Sequence, residues 1–437
     1  LETTSPYQGD TTVVTFRLLG RYFVGDSHAI ATLANCRPAL WLGAIFVLSA
    51  GFAREYDGED LISEPWHLLL PLAASLVSSL LLYGLLFVAS WRRSDVAPRF
   101  LADYRRFLTL YWLTAPLAWV YAIPVEQFLS APDAVRANFW LLGLVSLWRV
   151  LLISQAAAVL FGCRYRAALL LVLLFADTLV LAILWGTPMP VFSIMGGVRL
   201  TESEGIIQAT HFTVMALGFV TWPVWAIAGI VILAKNDKGW ELLPRDGEAN
   251  TISRVVWLLA AASLLVWTFI LPFTQPPQQL RHSVEQMFAR EQIGEAVRLM
   301  SSRDRKDFPR LWDPPPRIGY GEKLSRLIEA VSYSAELSPE NWTRAEYIEK
   351  LSQQLSSNYY LFEMRPVVDA EIEILADVLK RLPELHAAAR EPAMTLREQL
   401  NRNDELTEQR VAAIESILNT LGIPLPTPKG ETTESQQ

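Results

Sequence analysis

The sequence predicts an all-α fold: a polytopic transmembrane helix bundle of about seven spans, followed by a C-terminal soluble helical domain. Three observations predict it. Long apolar runs free of charge recur up to about residue 273, each near the roughly 20 residues that cross about 30 Å of hydrocarbon. Charge is displaced to the end: the first 280 residues hold 18 Lys and Arg with 19 Asp and Glu, and the remaining 157 hold 20 and 26. Tryptophan is displaced the other way, with only Trp312 and Trp342 of 15 beyond residue 280, as expected of rings that sit at headgroup level.

The expected spans follow in order. The first, Ala39 to Ala53, is short and flanked by Arg37 and Arg54; it either crosses with both arginines snorkelling or only dips in. The second runs from Trp66 to Trp91 and the third from Phe107 to about Ile123. Phe139 to Phe161 is the fourth; after a tight turn at 162–166, Ala167 to Trp185 is the fifth. The sixth is Phe212 to Ala234 and the seventh Val255 to Phe273, where the proline pair Pro276–Pro277 is expected to stop the helix. Ahead of them, Thr15 to Ala34 suits either a helix lying on the membrane surface or an ordinary polar leader. Residues 1–38 show no basic run followed by an apolar core, so targeting is expected to come from the first span.

Lys and Arg in alternate loops set the orientation. One side holds 14, including Arg92, Arg93, Arg99, Arg105 and Arg106, while the other holds only Arg54, Arg136 and Arg199. The positive-inside rule therefore expects residues 1–38 in the cytoplasm, a bundle over 39–273, and an extracytoplasmic helical domain over 274–425, in a plasma or inner membrane. Within that domain Leu280, Val284, Met287 and Phe288 share a helix face, and Ala296, Val297, Leu299 and Met300 form a second stripe. The stretch 312–321 holds three prolines and predicts an irregular loop; Thr343 with Glu346 reads as a capping box. Long helices are expected near 366–383 and 405–421, and a polar tail over 426–437 is expected to be disordered.

Several function classes are excluded. A net charge of −7 without a basic block argues against nucleic acid as a partner. Cys36 and Cys163 are too few for a disulfide framework or a structural zinc site. No Gly-rich phosphate loop, His-Glu-x-x-His, Gly-x-Ser-x-Gly or Cys-x-x-Cys occurs, so neither a cofactor nor an enzymatic activity is expected.

The residues that remain are polar groups in apolar surroundings. Arg149 lies 14 residues before Cys163 and Asp177 14 after it, which puts both about 21 Å from the turn of the fourth–fifth hairpin. Opposite charges at one depth predict an intramembrane ion pair that fixes the hairpin's register, since an isolated charge there costs about 3 kcal/mol. Thr114 with Pro116, and Thr221 with Pro223, interrupt the third and sixth spans at similar depth. Glu64, His67 and His211 fall at one membrane face and are a weak metal candidate; a solvated acidic loop with a helix cap explains Glu64 more simply. Together these features predict a non-enzymatic structural or interaction component of a membrane protein assembly. Its partners would be the lipid bilayer and other membrane or extracytoplasmic proteins. The alternative is a transporter or permease with a midplane polar site at Arg149 and Asp177.

Overall fold

A computed structural model describes residues 13–56, 58–91, 100–186, 202–234, 240, 242–244, 251–309, 312–317, 324–357, 369–402 and 406–426. Residues 427–437 of the expected tail and 318–321 of the proline-rich loop lie outside them. The described chain is helical apart from one parallel pairing of two-residue strands, β1 (Val13–Val14) with β2 (Thr251–Ile252). The described residues fall into two compact units, one up to Gln278 and one from Gln279 onward.

The first unit opens with α1 (Phe16–Phe23), α2 (Ser27–Asn35) and α3 (Ala39–Glu55). Thr15 and Asp26 cap the first two by accepting from Leu18 N and Ala29 N. Gly25, at φ +80°, makes the turn between them. Neither helix lies free as a surface helix would: Leu18, Leu19 and Tyr22 of α1, and Ala29 to Ala34 of α2, are buried in the same apolar core as α3. Helices α2 and α3 meet at 103°.

α4 (Leu69–Trp91) and α5 (Phe100–Leu113) follow, then a 3-10 segment over Ala115–Ala122 and the short α6 (Val125–Phe128). The expected third span is thus broken at Thr114, where Pro116 cannot donate to a helical carbonyl and the chain tightens into 3-10 geometry. α3 packs along both α5 and the 3-10 segment. The contact is close at Gly43, where a Cβ would stand 2.8 Å from Trp112 Cβ.

α7 (Ala131–Phe161), capped by Ser130, ends at Gly162 in the left-handed region at φ +57°, and α8 (Tyr165–Gly186) returns alongside. α9 (Glu202–Ala234) packs chiefly on α8. α10 (Arg254–Ala289) continues through Pro272, Pro276 and Pro277, so the proline pair does not stop it. Proline forfeits single hydrogen bonds, and a helix held by neighbours survives that loss. Here Gln275 is fully buried, its Oε1 accepting from Leu61 N at 2.7 Å and its Nε2 donating to Tyr56 O at 3.0 Å, which fastens this stretch to the loop after α3.

Among the described residues five helices are long and apolar enough to cross a membrane: α4 with its preceding turn (Pro65–Ser90), α7, α8, α9 and α10. They coincide with the second, fourth, fifth, sixth and seventh expected spans. The first expected span is one arm of the bent α2–α3 pair, which brings the number to six if that pair counts as one crossing.

The second unit closes its own core with the end of α10 and α11 (Ile293–Ser301), α12 (Leu324–Ser334), α13 (Trp342–Ser357), α14 (Asp369–Arg381), α15 (His386–Arg402) and α16 (Glu408–Thr420). Val284, Phe288, Ala296, Val297 and Met300 are buried there, as their helical spacing predicts. The proline-rich loop is pinned rather than loose. Trp312 Nε1 donates to Glu285 Oε1 at 3.1 Å, Tyr347 Oη to Pro315 O at 2.8 Å, and Lys350 Nζ to Pro314 O. The cap of α13 is Asn341, whose Oδ1 accepts from Thr343 N at 2.9 Å; Thr343, expected to cap, is itself buried in the first turn. α15 carries Pro392 in its interior, which hid it from a reading that takes proline as a stop.

Candidate functional site

The polar groups of the first unit form three centres. The first is the α8–α9 seam. Thr221 Oγ1 donates to Asp177 Oδ2 at 2.5 Å and approaches Leu217 O at 3.0 Å, while Trp222 Nε1 donates to Thr178 Oγ1 at 2.9 Å. Two successive residues on each helix thus stitch the pair together. Gly218 lets the helices close up, since a Cβ there would meet Leu181 Cδ2 at 3.0 Å. Pro223 lies inside α9 with the helix unbroken.

The second centre is Arg149. Its guanidinium carbon lies 4.6 Å from the centroid of the Tyr111 ring. Tyr111 Oη in turn lies 2.9 Å from Ser78 Oγ, and Trp112 Nε1 donates to Ser75 Oγ at 3.0 Å. These serines occupy one face of α4, so α5 meets it through a polar seam. Among the described residues Arg149 and Asp177 do not form the expected ion pair. Equal distance from the turn fixes depth but not azimuth. Arg149 shares a face of α7 with buried Val145, Leu152 and Ile153 and turns toward α5, whereas Asp177 turns toward α9. The two proline segments also part company: Thr114, buried, donates to Tyr111 O at 2.7 Å where the third segment breaks, and Thr221 joins the α8–α9 seam.

A buried ion pair does exist elsewhere, and sequence reasoning missed it. Arg106 and Asp103 of α5 are both buried and 3.5 Å apart. Arg106 Nη1 donates to Leu243 O at 2.9 Å and Nη2 to Pro244 O at 3.0 Å, clamping the connection before β2. Counted only as a loop charge, Arg106 is in fact the largest fully buried side chain of the described structure. The i, i+3 spacing from Asp103 within an aromatic-rich helix was the available signal.

The third centre is the loop after α3. Glu59, Glu64 and His67 each offer a ligand atom, all within 4.8 Å of one another; His211, on α9, is not among them. His67 Nε2 lies 3.3 Å from Glu64 Oε2, so imidazole and carboxylate satisfy each other without an ion. Asp60 accepts from Ile62 N and Ser63 N and folds the loop. At the α7–α8 turn, burial pushes the Cys163 thiol up to about 12, which favours the thiol over the thiolate at neutral pH.

No family model, curated protein or solved structure matches the chain.

Proposed function

We propose that the chain is a multi-pass protein of a plasma or inner membrane and a non-enzymatic structural or interaction component of a membrane assembly. Its second unit is the extracytoplasmic, partner-binding part. The observation that carries this reading is the contrast in what the two units leave exposed. In the first, only 17% of the apolar window of α8 and 11% of that of α9 is covered, with Trp185, Phe219, Val220 and Ile227 facing outward. Such surfaces require hydrocarbon around them. The second unit buries its apolar stripes within itself.

Seven crossings fit this arrangement when α3 and the α5–3-10 segment are counted. The two pieces of the latter rise about 21 Å and 16 Å along their axes, enough together for the hydrocarbon. One end is held by Arg106 at the connection after α9, and the other by Tyr56 Oη donating to Ala122 O at 3.2 Å. Arg149 and Asp177 turn to different neighbours, which supports the interaction reading over a midplane transport site shared by the two. Labelling a Cys introduced near residue 430 with an impermeant reagent tests the orientation: labelling in intact cells is expected, and protection overturns it. Purification of the full chain in mild detergent tests the function. A stoichiometric complex is expected; a solitary particle that moves a solute across proteoliposomes sinks the reading.

A further inference from the structure

We infer that Arg149 anchors a bound oxyanion, a carboxylate or phosphate, held where α1, α5 and α7 meet. The observation is a half-buried cation with no ion pair among the described residues. Arg149 stands on the inward face of α7, yet none of its N–H donors makes a hydrogen bond to a described residue, and its Nε is enclosed. Tyr111 offers the charge a partly negative ring face but no lone pair for an N–H donor. The Tyr121 hydroxyl is likewise without a hydrogen bond among the described residues, and lies within electrostatic reach of both Arg149 and Arg54. The unmet donors of Arg149 define the chemistry of the missing partner. The planar guanidinium fork matches carboxylate and phosphate oxygens two at a time.

The adjoining face of α7 is tied to the end of α1 and the start of α2: Trp148 Nε1 donates to Phe23 O at 3.0 Å and Gln155 Nε2 to Ser27 Oγ at 3.2 Å. Arg21 of α1 pairs with Asp26 at 2.7 Å. Arg149 itself is half-exposed, which leaves its outer donors open to an anion.

The test compares the full-length wild type with Arg149→Gln, Arg149→Lys and Tyr121→Phe in lipid nanodiscs. Phosphatidylcholine discs are the base, with phosphatidylglycerol added in one arm and inorganic phosphate in the other. The readouts are the thermal midpoint and, by native mass spectrometry, the phosphatidylglycerol retained. An anion-dependent rise in midpoint is expected for the wild type and not for Arg149→Gln. Arg149→Lys keeps the charge but loses the fork, and is expected to bind about tenfold more weakly. A rise with phosphatidylglycerol alone assigns a lipid headgroup, and a rise with phosphate alone a soluble anion; either supports the site. An equal rise in wild type and Arg149→Gln, or none in the wild type in either arm, overturns it. Should Arg149→Gln not fold, affinities of Arg149→Lys and Tyr121→Phe both equal to the wild type overturn it as well.

Discussion

The core built from α1, α3, α5 and α7 and the pair α8–α9 solve the same problem by different means. In the core, protein surrounds protein: Phe46, Phe107, Tyr22 and Leu113 are buried, and even a charged pair, Asp103–Arg106, is shut away from solvent. The α8–α9 pair is mostly bare, and in the membrane setting proposed above its two helices would gain nothing from leaving hydrocarbon for each other, since lipid tails are as apolar as leucine. They are joined by fit at Gly218 and by the bonds Thr221–Asp177 and Trp222–Thr178. Where the neighbour is protein, a misfit or an orphaned charge is costly; where it is lipid, polar bonds decide which helix stands beside which.

That contrast can be broken or sharpened by substitution, read as reversible unfolding of the full chain in mild detergent. Arg106→Met is expected to have the largest effect, a loss of about 3–5 kcal/mol, because it removes the charge beside buried Asp103 and the donor to two carbonyls. A loss below about 1 kcal/mol would show that water reaches the pair. Gly43→Ala comes next, at about 1–3 kcal/mol, since its methyl meets Trp112 Cβ across a backbone contact rather than a flexible chain end. Trp112→Gly in the same chain removes that Cβ and should make the two losses less than additive; full additivity would place the strain elsewhere. Thr221→Val is expected to cost only about 0.5–2 kcal/mol, the range of single bonds between membrane helices. A loss as large as that of Arg106→Met would abolish the distinction between the two regions.

The smallest effect lies in the second unit. Burial is the largest influence on the Glu346 carboxyl and raises its pKa, against the opposing pull of Lys350 and Arg305. A carboxyl whose folded pKa is raised binds its proton more readily folded than unfolded. Stability contributed by protonation therefore grows as pH falls through that folded value and is lost as pH rises above it. Protection of the α13 amides in the intact chain, taken relative to the intrinsic exchange rate at each pH, should rise as pH falls through that folded value, and Glu346→Gln should remove that dependence. An unchanged dependence in the variant would assign it to another group.

What could be read from the sequence follows from what hydropathy measures. Length and apolar content mark α4, α7, α8, α9 and α10 without reference to neighbours, and period marks the buried stripe from Val284 to Met300. Azimuth is not recorded in such a measure. Arg149 and Asp177 therefore share a depth on paper while facing different helices. Local rules failed where packing overrode them: α10 runs through Pro276 and Pro277, and Leu18, Leu19 and Tyr22 are drawn into the core. At the candidate metal site, Glu64 and His67 were legible from their i, i+3 spacing, whereas Glu59 joins them only through the fold of the loop.

The clamp made by Arg106 also sets a schedule. Its carbonyl partners lie 137 and 138 residues further along the chain. At about 5–20 residues per second, a ribosome delivers them on the order of ten seconds after Arg106 has emerged. Until then the guanidinium lacks those two carbonyls, and the first half of the bundle waits with an unfinished core. A nascent chain halted before residue 242 should leave a Cys placed at buried Thr109, one turn along α5, open to a water-soluble alkylating reagent, and completion of the chain should close it.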